Sequence, residues 1–229
     1  MALQMLPLKR SGTSWGARRN HPFEKQRATP LYISLTMPFD PTQVNDLIRT
    51  RRSVFVPQFE AGKVIPDDII WQLLENANWA PTHKRTEPWR FVVFTGAGLQ
   101  KLAEFQAALY KETAGPKFNE SKYEKLLEMP PRCSHVIALA MHPDPTLPEI
   151  EEVEATACAV QNLALSAHAY GLGGFWSSGG ITYTESAKAF FGLGPEDKLL
   201  GFFNLGYVRV PAPAGKRGPV QDKVTWVAA

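Results

Sequence analysis

Apolar positions along the chain switch between helical and strand spacing, and the switches mark out its elements. Asp40-Pro41 reads as a helix start, with Asp as N-cap and Pro at the first helical position; Val44, Leu47 and Ile48 carry that helix to about Arg49. Pro66-Asp67-Asp68 opens a second helix whose Ile69, Ile70, Leu73, Leu74 and Ala77 share a buried side. The apolar run from Phe91 to Phe94 predicts a buried strand. A turn at Gly96–Gly98 and an amphipathic helix over residues 99–110 follow. His135 to Met141 predicts a second buried strand, Phe175-Trp176 a short one running into a glycine turn, and residues 199–208 a core strand, with a helix capped by Thr184 and ending at Phe191 before it. The longest helical signal spans residues 149–170. Its first turns are acidic, as the positive end of a helix dipole favours, and from Ala155 it is small and apolar on every side. That pattern predicts a buried central helix whose small residues allow close helix approach, part of any subunit interface. Gly171 can close it in a left-handed cap. Strands scattered among helices without strict βα alternation indicate an α+β or three-layer domain with a mixed sheet. No Gly-x-Gly-x-x-Gly opens a helix after a strand, so a dinucleotide-binding Rossmann unit is not supported.

Residues 76–95 are the stretch around which the rest is organised. A helix ends, a polar loop with His83, Lys84 and Arg85 follows, and Pro88-Trp89 leads into the strand. The prolines at 81 and 88 stiffen the loop and bias Ala80 and Glu87 towards extended backbone. Trp79 and Trp89 read as core. Residues 111–131 are polar, rich in Lys and Glu and weakly helical, a composition suited to a mobile lid.

With 229 residues, the chain is long enough to bury a sizeable core in one domain, or in a domain with an appendage. Its formal charge of +3 is unevenly placed: residues 1–36 hold six basic side chains against Glu24 alone, so the remainder is mildly acidic. This argues against a nucleic-acid surface on the folded body. Residues 1–36 lack apolar periodicity and read as a disordered or extraneous extension ahead of a domain at 37–229. Three readings of them stay open: a dispensable tail with Met37 as the functional start, an organelle-targeting peptide, and, ranked last, a nucleic-acid arm. Cys133 and Cys158 form neither a metal spacing nor a disulfide framework. Cys158 reads as a buried thiol in a reducing cytoplasm. No apolar run reaches the ~20 residues of a membrane span, and no metal motif is present.

Four constellations could carry chemistry. Arg51-Arg52-Ser53 joins two guanidinium forks and a hydroxyl, a set suited to a phosphate dianion, although cations at a helix end are common without function. His83 and Lys84 lie in the stiff loop, where the bland reading is solvated charge. Gly173 to Gly179 brings glycine backbone close to Trp176, Ser177 and Ser178, an arrangement that lets main chain approach a flat ring, or simply a strand with a glycine turn. Lys216-Arg217 is a basic pair in the tail, or plain solvated charge.

Taken in order, Arg-Arg-Ser, Ala-Pro-x-His-Lys…Pro-Trp, the helix into Gly-Leu-Gly-Gly, and Leu-Gly-Tyr resemble the FMN-dependent nitroreductase family, in particular its small bacterial members, over about Pro38 to Trp226. The resemblance implies a three-layer fold with a mixed, mainly antiparallel central sheet flanked by helices. It implies FMN held by Arg51, Arg52 and Ser53, by Trp176, Ser177 and Ser178, and by Lys216 and Arg217, with His83 reaching the flavin of the partner subunit in a homodimer. Ser177 stands where close relatives carry Arg, which removes a charged donor. The implied reaction is ping-pong: NAD(P)H reduces the flavin and an electron-poor nitroaromatic or quinone reoxidises it, so no side chain is assigned a catalytic role. Flavin fragmentation, reductive dehalogenation, and a flavin-binding or interaction module without turnover are the alternatives.

Overall fold

A computed structural model describes residues 39–228. By contact the chain divides after Val44; the described part of the first unit is residues 39–44, where Asp40 Oδ1 accepts from the Thr42 N–H at 2.8 Å and so caps helix α1, Pro41–Thr50. The N-terminal extension, with Met37, lies outside the described residues.

From residue 45 onward the body is a four-stranded sheet between two helical layers. Its strands are β1 (Trp89–Thr95), β2 (His135–Met141), β3 (Leu172–Ser177) and β4 (Lys198–Tyr207), in the order β1-β2-β4-β3. The helices are α2 (Asp67–Asn78), α3 (Ala97–Thr113), α4 (Glu120–Glu128) and α5 (Glu149–Ala169). All strand pairings are antiparallel. Among the described residues, the parallel component is a single bridge from Ser53 to Gly174, on the outer edge of β3.

The period of two in β2 divides the core. Val136, Ala138 and Ala140 meet Leu99, Leu102 and Phe191 on one face, while Ile137 and Leu139 meet Leu73, Ala77 and Leu163 on the other. Every residue of β2 is buried because both faces are covered. β1 is half exposed, with Val93 open to solvent, because it is an edge strand; the apolar run alone predicted full burial. Residues 185–191 form a 3₁₀ helix, and Thr184 makes no side-chain cap. Gly171 closes α5 at φ +71°, as expected. α5 is buried on one side only. Cys158 and Gln161 are exposed, so Cys158 is not the buried thiol its neighbours suggested. Cys133 is the buried one, and burial pushes its thiol up to about 12.

Candidate functional site

Where α1 ends, the chain turns and Ser53 bridges to β3, so the basic tripeptide is set beside the C-terminal half of α5. Arg51, Arg52 and Ser53 line one cleft of about 190 Å³ with Ala157, Val160, Ala164 and His168 of α5 and Gly174, Phe175 and Trp176 of β3. Both guanidiniums are half-buried, and neither meets a carboxylate among the described residues. Arg52 gives one terminal nitrogen to the carbonyls of Arg49 (2.5 Å) and Arg51 (2.7 Å), while its buried Nε has no partner. The uncompensated charge registers on His168. Burial, then Arg51 and Arg52, hold that imidazole below the ordinary 6.5. Its Nε2 lies 2.9 Å from Thr50 Oγ1. The cleft is thus cationic at one end, walled by small apolar side chains, and bordered by an indole at the other.

Trp176 is held there by a β-bulge. The β2–β4 register shifts between Leu139 and Ala140, which leaves Leu200 without a cross-strand partner. The freed Leu200 carbonyl accepts from Trp176 Nε1 at 3.0 Å. Ser177 faces a second cavity; its Oγ accepts from Asn204 Nδ2 at 3.2 Å. Ser178 is exposed and lines neither cavity.

His83 is outside both cavities of its own chain. It sits on a 3₁₀ turn with Nδ1 2.5 Å from Glu151 Oε2 at the start of α5. Its loop carries Lys84, Arg85 and Glu87 at positive φ, +49°, +59° and +47°, strained positions for non-glycine residues. Glu87 therefore departs from the extended backbone expected before proline; its N–H donates to Thr82 Oγ1 at 3.3 Å. Trp89 is core, but Trp79 is 78% exposed and donates to Glu75. α2 ends at Asn78, which leaves Trp79 past the buried stripe. Lys216 and Arg217 are exposed, yet Gly215 before them lies against Arg52: a Cβ there would stand 2.5 Å from the guanidinium carbon. His168 was missed from sequence because α5 read as uniformly apolar. Its signal is the helical spacing Ala157, Val160, Gln161, Ala164, His168, which turns one polar-ended stripe to the cleft.

The basic cleft between sheet edge and long helix has the chemistry to suit an anionic, partly apolar ligand. The chain belongs to the nitroreductase family, whose sequence profile matches residues 48–207. It is 31% identical over 184 residues to the Bacillus subtilis (strain 168) protein named "Putative NAD(P)H nitroreductase YfhC", covering 80% of this chain and 93% of that one. The crystal structure of a nitroreductase-like family protein from Bacillus cereus superposes with a TM-score of 0.69 at 26% identity, covering 86% of this chain and all of the other. The FMN-dependent nitroreductase NfnB of Mycobacterium smegmatis, solved in complex with NADPH, shares the fold: TM-score 0.64 and 20% identity, over 82% of this chain and all of that one. Among the described residues, no helix is long and apolar enough to cross a membrane and no group of side chains could hold a metal ion.

Proposed function

We propose that the protein is an FMN-dependent oxidoreductase that takes electrons from NAD(P)H and delivers them to an electron-poor acceptor of nitroaromatic or quinone type, working as a homodimer. One observation carries the reading: two half-buried guanidiniums without a carboxylate partner, beside Ser53, in a cleft walled by Ala157, Val160 and Ala164. Unpaired buried charge is costly, and a phosphate would offset it. The residues present fit FMN. Arg51, Arg52 and Ser53 supply donors for a dianion, and the orphan Arg52 Nε marks a donor still to be satisfied. The small wall and the Gly174 backbone suit a flat ring. Bound FMN would supply the two-electron chemistry; the chain's own work is to hold the phosphate, orient the ring and keep water from part of it.

A cleft of about 190 Å³ falls below the ~300–1,000 Å³ usual for such ligands, which favours completion by a second copy. The exposed positions Cys158 and Gln161 of α5 suit that contact, with His83 of the partner subunit bordering the flavin. Gly215 against Arg52 supports a phosphate role for Lys216 and Arg217. The role read for Ser178 has no such support. The test is visible absorbance: purified protein should be yellow or take up added FMN, and should oxidise NAD(P)H when a nitroaromatic is supplied. Arg51→Ala should weaken FMN binding about tenfold or more, the worth of a charge-assisted hydrogen bond, without changing the circular dichroism. Unchanged FMN affinity in that variant would remove Arg51 from the site.

A further inference from the structure

The loop that carries His83 is strained, yet it borders neither cavity of its own chain. His83, Lys84 and Arg85 are all exposed, and the two cations form no ion pair among the described residues. Positive φ at Lys84, Arg85 and Glu87 is costly, and such strain persists only where the surroundings hold it; it gathers at ligand clamps and active sites. Two neighbouring carboxylates of α5 provide that hold. Glu152 Oε1 accepts from Thr86 Oγ1 at 2.8 Å, and Glu151 Oε2 lies 2.5 Å from His83 Nδ1. Inside the loop, the Thr82 and Thr86 hydroxyls meet at 2.9 Å.

The two carboxylates differ in what they hold. Glu152 is fully buried and ties backbone and hydroxyl together, whereas Glu151 and His83 are both partly exposed. A carboxylate in the first turn of a helix is favoured by the helix dipole alone. That effect does not require contact with an imidazole 68 residues earlier in the chain, which Glu151 makes. An ionised carboxylate only accepts, so the hydrogen in this contact belongs to His83 Nδ1. In the neutral ring Nε2 is then left as a bare acceptor. It makes no hydrogen bond among the described residues.

We infer that Glu151 is a positioning residue acting through His83: it fixes the ring and keeps the hydrogen on Nδ1, so that Nε2 is offered as a hydrogen-bond acceptor to the flavin held by the partner subunit. The flavin as ligand rests on the homodimeric, FMN-binding reading above; the tautomer does not. Glu151 thereby sets the polarity of the contact. Without its carboxylate the ring turns freely and favours hydrogen on Nε2, as an unconstrained imidazole side chain does, and the acceptor becomes a donor.

The full chain, labelled with nitrogen-15 at histidine, gives a readout that needs no flavin. Long-range proton–nitrogen correlation spectra at alkaline pH, assigned by the signal lost in His83→Gln, should place the hydrogen on Nδ1 in wild type. The same should hold in Glu151→Gln, whose amide oxygen still accepts, while Glu151→Leu should move it to Nε2. FMN affinity, read by quenching of flavin fluorescence, should fall about fivefold in Glu151→Leu, the worth of one neutral hydrogen bond, and change by less than about twofold in Glu151→Gln. Glu151→Leu added to His83→Gln should weaken FMN binding no further, because both act through one contact. Mixed dimers of Glu151→Leu and Arg51→Ala chains should hold one site of wild-type affinity, where the intact Arg51 of one chain meets the intact His83 and Glu151 of the other. Hydrogen retained on Nδ1 in Glu151→Leu, unchanged FMN affinity in that variant, or additive losses in the double variant would overturn the positioning role. Mixed dimers without a wild-type site would overturn action across the interface. A wild type that binds no FMN would sink the oxidoreductase reading and the ligand assigned to Nε2, while the spectra still decide whether Glu151 sets the tautomer.

Discussion

At Gly201 the backbone takes φ +136°, and a Cβ there would stand 2.5 Å from Trp176 Nε1, with the Ser177 carbonyl closer still. Gly201 follows the bulged Leu200, so the close approach of Trp176 depends on the missing side chain. Gly201→Ala should cost about 2 kcal/mol or more, from left-handed strain and overpacking together, and should lower the urea midpoint with little change in slope. Tryptophan fluorescence should shift as the indole leaves the Leu200 carbonyl. Nothing in the sequence singles out this glycine, because its conformation follows from a register shift between distant strands. Arg51, Arg52 and Ser53 could be read because three adjacent residues carry the donor set by themselves. His168 could not: what marks it is a half-buried position beside the cleft, and that belongs to the fold.

Among the elements, α5 holds the site together through a residue that looks out of place. Glu152 is fully buried; its Oε1 accepts from Thr86 Oγ1 at 2.8 Å and its Oε2 from the Asp144 N–H at 3.3 Å. One carboxylate thus ties the strained His83 loop and the loop after β2 to the start of the helix. Thr86→Val should leave that oxygen short of a donor and cost about 2 kcal/mol, read as a drop in the thermal midpoint. Amide exchange around residues 82–87 should accelerate more than elsewhere, since the substitution cuts the tie at that loop. The helical periods of α2 and α3 were legible because amphipathic spacing is local. The exposure of β1 was not, since an edge strand and a central strand can share the same apolar run and only sheet order distinguishes them.

For the molecule as a whole, two histidines couple folding to pH. Burial holds His135 below 6.5, with Asp67 opposing, and burial with Arg51 and Arg52 holds His168 below it. The unfolded chain accepts these protons more readily than the folded one, so stability should be level above about pH 6.5, decline as pH falls through that value, and level off below the folded values as far as these two groups contribute. Urea midpoints measured across that window check the sign, and His168→Gln should flatten part of the decline. If the cleft is completed by a second copy, light scattering should give the mass of two chains, and dilution to monomer should release FMN. The order of elements, the helix caps at Asp40 and Gly171, and the basic tripeptide were all determined by the sequence alone, since each depends on neighbours within a few residues. Only the tertiary structure decided that Arg51 faces α5, that Trp176 leans on a bulge and that Arg52 Nε is buried without a partner. Those relations join residues far apart in the chain, and packing, which no local pattern encodes, sets them.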